Sequence, residues 1–269
     1  MAVIAINNKK MSYLYTPYFF RNNFPDWKRK KDPLLTRLFY RPLSFVTASI
    51  CAKNEINANT VSYASFLIAI IACLLFLFPQ KGWHIFAAVL INIWLLMDCT
   101  DGNLARTYRK QPFGEFADGI SSYILVGLMC TTIAFSVYFS GGVFVKPGNP
   151  WIILIGAFAS SSDTMMRLIY QKYKATEREM ADRGVLDIEL DKRTDHSLVG
   201  SLRVRVEAEL GIGGLLPFAI LLATIFNALD LIVIYCFLYY GFSCLIASYM
   251  YIRKAMKATM LYQDRMPQS

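Results

Sequence analysis

Asp98, Asp101 and Asp118 are the residues whose types and spacing could do chemistry in this chain. The first two end an apolar segment of membrane length, within Asp98-Cys99-Thr100-Asp101-Gly102-Asn103-Leu104-Ala105-Arg106, and the third follows Gly114 at the start of the next apolar run. A carboxylate in or beside hydrocarbon is costly and by default marks a site. Three of them converging without cations repel one another and take up protons. A bound divalent metal is the simplest way to keep them ionised. On a continuous helix Asp98 and Asp101 are i,i+3 neighbours, with Ala105 one turn further on the same face. Gly114 and Asp118 are i,i+4 on the following helix, so the third carboxylate can face the first two. Such a hard oxygen set suits Mg2+ or Mn2+, with Ca2+ as a competitor. Gly102 and Ala105 are small enough for another helix or a ligand to approach the backbone, and Arg106 suits a phosphate clamp better than a metal shell. Metal and arginine together at a membrane surface point to phosphate esters.

The elements that must position these residues are membrane helices. Of the 269 residues 55% are hydrophobic, a composition of polytopic membrane proteins rather than soluble domains. The net charge of +9 does not make a nucleic-acid surface, because the basic residues flank apolar spans. Six spans are predicted, near 60–79, 83–106, 115–140, 150–172, 209–228 and 230–253, each close to the roughly 20 residues a bilayer core requires. All but Lys81 and Lys146 of the 28 lysines and arginines fall on one side of such a bundle, which puts both termini and the aspartates at the cytoplasmic face. Residues 26–55 read as an amphipathic segment lying on an anionic leaflet, with Leu34, Leu35, Leu38, Phe39, Leu43, Phe45 and Val46 as its apolar side. The fold class expected is therefore an all-α integral membrane protein with six transmembrane helices and an N-terminal amphipathic interfacial helix. Its parts are an N-terminal segment (1–58), a membrane catalytic domain (59–255) and a C-terminal tail (256–269). The polar connection from about 173 to 207 reads as a linker or as a lip over the site. Glu207, Glu209, Gly211, Gly213 and Gly214 open the fifth span, where the glycines suit close packing. The six cysteines have no C-x-x-C spacing and read as packing residues, and neither His84 nor His196 has a ligand partner at useful spacing.

The run from Asp98 resembles the signature of the CDP-alcohol phosphotransferase family, D-x-x-D-G-x-x-A-R-x(7 or 8)-G-x-x-x-D-x-x-x-D, matched at Asp98, Asp101, Gly102, Ala105, Arg106, Gly114 and Asp118. Before the first span the family often carries T-P-N-x-V-T. Here Asn57-Ala58-Asn59-Thr60-Val61-Ser62 keeps the Asn and a hydroxyl but not the Pro. The resemblance implies that CMP leaves a CDP-activated donor, often CDP-diacylglycerol, as a polar alcohol acceptor attacks the β-phosphorus. It implies Asp98, Asp101 and Asp118 as ligands of Mg2+ (or Mn2+), Gly102, Ala105 and Gly114 as room for the nucleotide, and Asn59 and Arg106 as its holders. It also implies a homodimer in, by our reading, a bacterial cytoplasmic membrane, acting in phospholipid biosynthesis.

One position breaks the pattern. The family's last aspartate, assigned as general base, falls on Ser122, and a serine accepts no proton usefully at neutral pH. Three readings stay open: another carboxylate serves, first Asp163 and second Glu115; the acceptor is acidic or metal-bound enough to need no strong base; or the chain is a catalytically impaired relative that binds nucleotide or lipid. Asp163 precedes Arg167 by four residues. The two form either a packing pair or, with Arg167 on an anionic group of the acceptor, part of the site. A cation transporter is a weaker rival, since Arg106 beside the path would repel the ion.

Overall fold

Apolar runs separated by short polar punctuation become long helices that meet at one end of a bundle. The computed structural model describes residues 14–108, 111–184 and 208–263, and helices are the only regular elements among them. An N-terminal segment comprises α1 (Pro17–Asn22), α2 (Asp26–Lys31), a π-helical turn (Thr36–Tyr40) and α3 (Arg41–Lys53). The bundle follows: α4 (Ala58–Leu75), α5 (Lys81–Thr107), α6 (Gly114–Ser140), α7 (Trp151–Asp182), α8 (Leu216–Ile225) and α9 (Leu229–Gln263). Asn57 starts α4 by accepting the Thr60 N–H at 2.9 Å, a side-chain cap on an orphan amide. Helix α4 packs against both α5 and α6, α6 against α7, and α7 against α9.

Five helices are long and apolar enough to cross a membrane: Ala58–Leu75, Lys81–Thr107, Gly114–Ser140, Trp151–Asp182 and, within α9, Leu229–Met260. The chain is an integral membrane protein. The span expected over 209–228 is not among the five. Helix α8 has ten residues, about 15 Å of rise against a hydrocarbon core of about 30 Å. The glycines ahead of it form a turn instead: the Gly214 N–H donates to the Gly211 carbonyl at 3.0 Å and the Leu215 N–H to the Glu209 carbonyl at 2.9 Å. A Cβ on Gly214 would stand 2.3 Å from that carbonyl oxygen, so only glycine fits. Helix α7 runs past the expected end of its span into the first part of the polar connection. The rest of that connection, with Arg109, Lys110, His196, Glu207 and the tail from 264, lies outside the described residues.

The N-terminal segment has an exposed apolar side and a buried one, and Phe45, expected on the lipid-facing side, lies on the buried one. Leu38, Phe39, Leu43, Val46 and Ile50 are exposed, while Phe45, Ala48 and Ala52 join Phe20, Phe24, Val61 and Leu104 in a small core that ties the segment to α4 and α5. The inner face therefore rests on protein as well as presenting an apolar outside. Polar bonds fix the attachment. The Leu34 N–H donates to the Glu209 carboxylate at 2.9 Å and the Thr36 hydroxyl to the Gly213 carbonyl at 2.6 Å. The Tyr40 hydroxyl donates to Asn92 Oδ1 on α5, and the Asn92 amide donates to the Pro217 carbonyl at 2.9 Å. Burial pushes the Tyr40 phenol up to about 12.

Close packing of α6 on α7 depends on one glycine. A Cβ on Gly156 would lie 2.5 Å from both the Ala134 Cβ and the Cys130 carbonyl oxygen, the small-residue contact by which membrane helices approach. Gly156→Val is expected to lower the stability of the detergent-solubilised protein by about 1–3 kcal/mol, read as a lower midpoint in thermal unfolding. Gly82→Ala, at a position with nothing within 4 Å, should leave that midpoint within error. Equal midpoints for both variants would contradict this packing.

Candidate active site

The three aspartates come together at the end of the bundle where α5 finishes and α6 begins. Asp98 and Asp118 bring their carboxyl groups within hydrogen-bonding reach of each other across the two helices. Asp101, one turn on from Asp98, is only 5% exposed, and the Ser62 hydroxyl of α4 donates to its Oδ2 at 2.5 Å. Two carboxylates at that separation need a shared proton or a cation between them. The donor chemistry, hard oxygens from neighbouring helices, fits Mg2+ or Mn2+. The fit is incomplete in one respect. Among the described residues no three His, Cys, Asp or Glu side chains are set together to hold an ion, and Asp101 is the ligand engaged elsewhere, by Ser62. Asp98 and Asp118 thus form a close pair, and Asp101 is held apart from it by its bond to Ser62.

Positive charge reaches this cluster from the N-terminal segment, which spacing around the motif does not reveal. Lys28 of α2 is close enough to act on both Asp98 and Asp118 and also pairs with Asp32 at 3.4 Å. Arg41, buried at the start of α3, is gripped by Asp32 through two bonds, Nε to Oδ2 at 2.8 Å and Nη2 to Oδ1 at 3.0 Å. Its Nη1 reaches the Cys99 carbonyl and Asn103 Oδ1 of α5, each at 3.2 Å. The Asn103 amide in turn donates to the Ser44 hydroxyl at 2.9 Å. A bidentate arginine with its remaining donors satisfied is the form in which a buried ion pair is tolerated. The available signals in the sequence were a lone acid, Asp32, after four consecutive basic residues, and an arginine among the apolar residues of α3.

The carboxylates stand between two clefts. The first, about 620 Å³, contains Asp101 and Asp118 together with Asn59, Gly102, Ala105, Arg106, Gly114 and Glu115. Its members come from three helices, and all five residues expected to hold or admit a nucleotide are here. The Asn59 amide donates to the Pro112 carbonyl at 2.9 Å, but its Oδ1 is buried without a partner. A Cβ on Gly102 would lie 2.9 Å from the Arg106 guanidinium, so the missing side chain is what lets Arg106 fold over the helix. The Arg106 guanidinium lies 5.6 Å from the Phe24 ring. The second cleft, about 360 Å³, contains Asp98, Asp163, Arg167, Lys28, Lys31 and Tyr240. Asp163 is 1% exposed and accepts from Arg167 Nε at 3.0 Å, while its Oδ2 and the Tyr240 hydroxyl are buried without partners.

The two carboxylates considered as stand-ins for the missing base are therefore separated: Asp163 shares a cleft with Asp98, and Glu115 lies in the other. Ser122 lines neither, and its hydroxyl donates to the Gly119 carbonyl at 2.9 Å on its own helix. Tyr240 and Lys28 were not anticipated from the sequence; Tyr240 sits in an apolar aromatic run that gives no polar signal.

Helices α4 to α7, which carry most of this geometry, coincide with a family match: the model described as CDP-alcohol phosphatidyltransferase matches residues 55–185. Residues 55–185 are similar to CDP-alcohol phosphatidyltransferase domains. Among curated proteins, none matches the chain. The domain's class is transfer of a phosphatidyl group from a CDP-alcohol donor to an alcohol in the membrane, and its match contains all three motif aspartates, both clefts' α5 residues and the Asp163–Arg167 pair. The N-terminal segment with Lys28, Asp32 and Arg41 precedes the matched region, and Tyr240 follows it.

The buried Arg41–Asp32 pair is one of the links between that segment and the matched region. Arg41→Met should leave Asp32 buried and poorly compensated, at a cost of about 3–5 kcal/mol, measured by thermal unfolding. Adding Asp32→Leu should recover at least half of that loss. Additive losses in the double variant would contradict the pairing.

Proposed function

We propose that this protein is a membrane phosphotransferase that moves a phosphatidyl group from CDP-diacylglycerol to a polar alcohol, releases CMP and depends on Mg2+ or Mn2+. We further propose that the reaction takes place at the cytoplasmic face, as the lysine and arginine distribution implies. The observation that carries the reading is the wall of carboxylates between two clefts of different chemistry. In the first cleft Asn59 offers an unpartnered acceptor to an amino group of the base, Gly102, Ala105 and Gly114 leave room, and Arg106 binds phosphate. In the second, Arg167, Lys28 and Lys31 surround Asp98 and Asp163, a place for a polar alcohol.

A divalent cation on Asp98, Asp118 and Asp101 would neutralise the diphosphate and steady the charge that builds on departing CMP. The residues do the rest. The acceptor hydroxyl attacks the β-phosphorus, a new P–O bond forms, and the bond to the bridging oxygen breaks with that oxygen leaving on CMP. The hydroxyl proton passes to Asp163, whose Oδ2 has no hydrogen-bond partner while Oδ1 is held by Arg167. Arg167 thereby orients the base, and the two clefts keep donor and acceptor on opposite sides of the carboxylates.

A second reading is favoured by Ser122, whose hydroxyl is spent on its own helix: the chain binds nucleotide without turning it over. CMP release by purified protein given CDP-diacylglycerol, Mg2+ and a panel of alcohols separates the two. CMP is expected from the wild type and none from Asp101→Asn. Asp163→Asn should lower kcat by about 10²–10⁴-fold with CDP binding retained, Glu115→Gln should fall less than about tenfold below wild type, and Ser122→Asp should hold or raise the rate. CDP binding without CMP release from any CDP-alcohol and acceptor would favour the second reading.

A further inference from the structure

The outer face of the N-terminal segment carries a third hollow, of about 540 Å³, apart from both clefts. Phe24, Phe45 and Pro42 give it apolar walls, and Arg21, Arg29 and Arg37 stand around it. Its one carboxylate, Asp32, is already held by Arg41 and Lys28. Arg21, Arg29 and Arg37 are exposed, and none of them forms an ion pair among the described residues. Among the described residues these arginines show one hydrogen bond, a long one from Arg29 Nη2 to the Arg21 carbonyl at 3.4 Å. Three guanidinium groups from α1, α2 and the π-helical turn face one hollow; Asp26 shares the adjoining hollow with Arg21 and Arg29 but is one acid against three arginines, and the excess positive charge calls for an external anion. Arginine's planar fork favours phosphate among the candidates.

The surroundings indicate where that phosphate comes from. Tyr18, Trp27, Leu38 and Phe39 are each more than half exposed on the same segment. Aromatic and aliphatic side chains next to arginines are the composition of a surface seated at the headgroup level of a bilayer. We propose that Arg21, Arg29 and Arg37 form a binding site for the phosphate of an anionic phospholipid, separate from the donor and acceptor clefts. The site shares its inner wall with the second cleft, because Arg41 and Asp32 line both. A lipid bound there holds in place the segment that lays Lys28 beside Asp98 and Asp118.

Native mass spectrometry of the full chain in detergent, with phosphatidylglycerol and phosphatidylcholine in competition, tests this without reference to turnover. Its failure would leave the phosphotransfer reading untouched. The wild type is expected to retain phosphatidylglycerol on the order of tenfold over phosphatidylcholine. R21Q/R29Q/R37Q should remove the preference, with an unchanged unfolding midpoint. R21K/R29K/R37K, which keeps the charge but not the paired N–H geometry, should retain only part of it. R253Q/K257Q, altered at the far end of α9, should behave as wild type. A preference that survives the glutamine variant, or its absence in the wild type, would overturn the proposal. Displacement of the lipid by millimolar inorganic phosphate would overturn it too, by showing a site for free anions.

Discussion

Three carboxylates at the junction of two membrane helices must be compensated, and much of the structure around them follows from that requirement. Asp98 and Asp118 approach across α5 and α6, where two like charges so close repel each other. Ser62 supports Asp101 from α4, and Lys28 approaches from α2. The Asp32–Arg41 pair helps to place the lysine, because it ties the N-terminal segment to Cys99 and Asn103 in the same turn of α5 that carries the acids. Breaking such a pair leaves a buried charge alone, which is why its loss is severe even though its net contribution is modest.

The acids also explain why there are two clefts rather than one. Asp98 opens on one side and Asp101 and Asp118 on the other, so a diphosphate and an attacking hydroxyl can meet at the same charges from different directions. The side with Asn59 and Arg106 is built from the first turns of α4 and α6 and the last of α5. The side with Asp163, Arg167 and Tyr240 is built from α7 and α9 and closed by the N-terminal segment. The family match covers the first side entirely and the second only in part, since Lys28, Lys31 and Tyr240 lie outside residues 55–185.

The sequence made the spans of α4 to α7 and the first cleft legible. Long apolar runs determine helices by the bilayer's thickness, and fixed spacings on two such helices bring Asp98, Asp101, Gly102, Ala105, Arg106, Gly114 and Asp118 to one place. Two things escaped it. The run from 209 to 228 reads as one continuous spanning helix, but Gly211, Gly213 and Gly214 form a turn that receives Leu34 and Thr36, and only α8 follows as helix before Ile225 meets Lys81 at the start of α5. The union of Lys28, Asp32 and Arg41 with α5 is a tertiary contact across some sixty residues of chain, and no local period encodes it. Ser122 lies between these cases: its departure from the motif was visible, while its bond to the Gly119 carbonyl was not.

The central claim is that Asp98 and Asp118, with Asp101 one turn on from Asp98, hold a divalent cation on which a nucleotide phosphate rests. Electron paramagnetic resonance of Mn2+ bound to the purified protein in the presence of CDP addresses it directly. The account predicts bound Mn2+ with a phosphorus-31 coupling from CDP, and a loss of affinity of at least about tenfold in both Asp98→Asn and Asp118→Asn. Mn2+ affinity unchanged in those variants, or bound Mn2+ without phosphorus coupling, would contradict it.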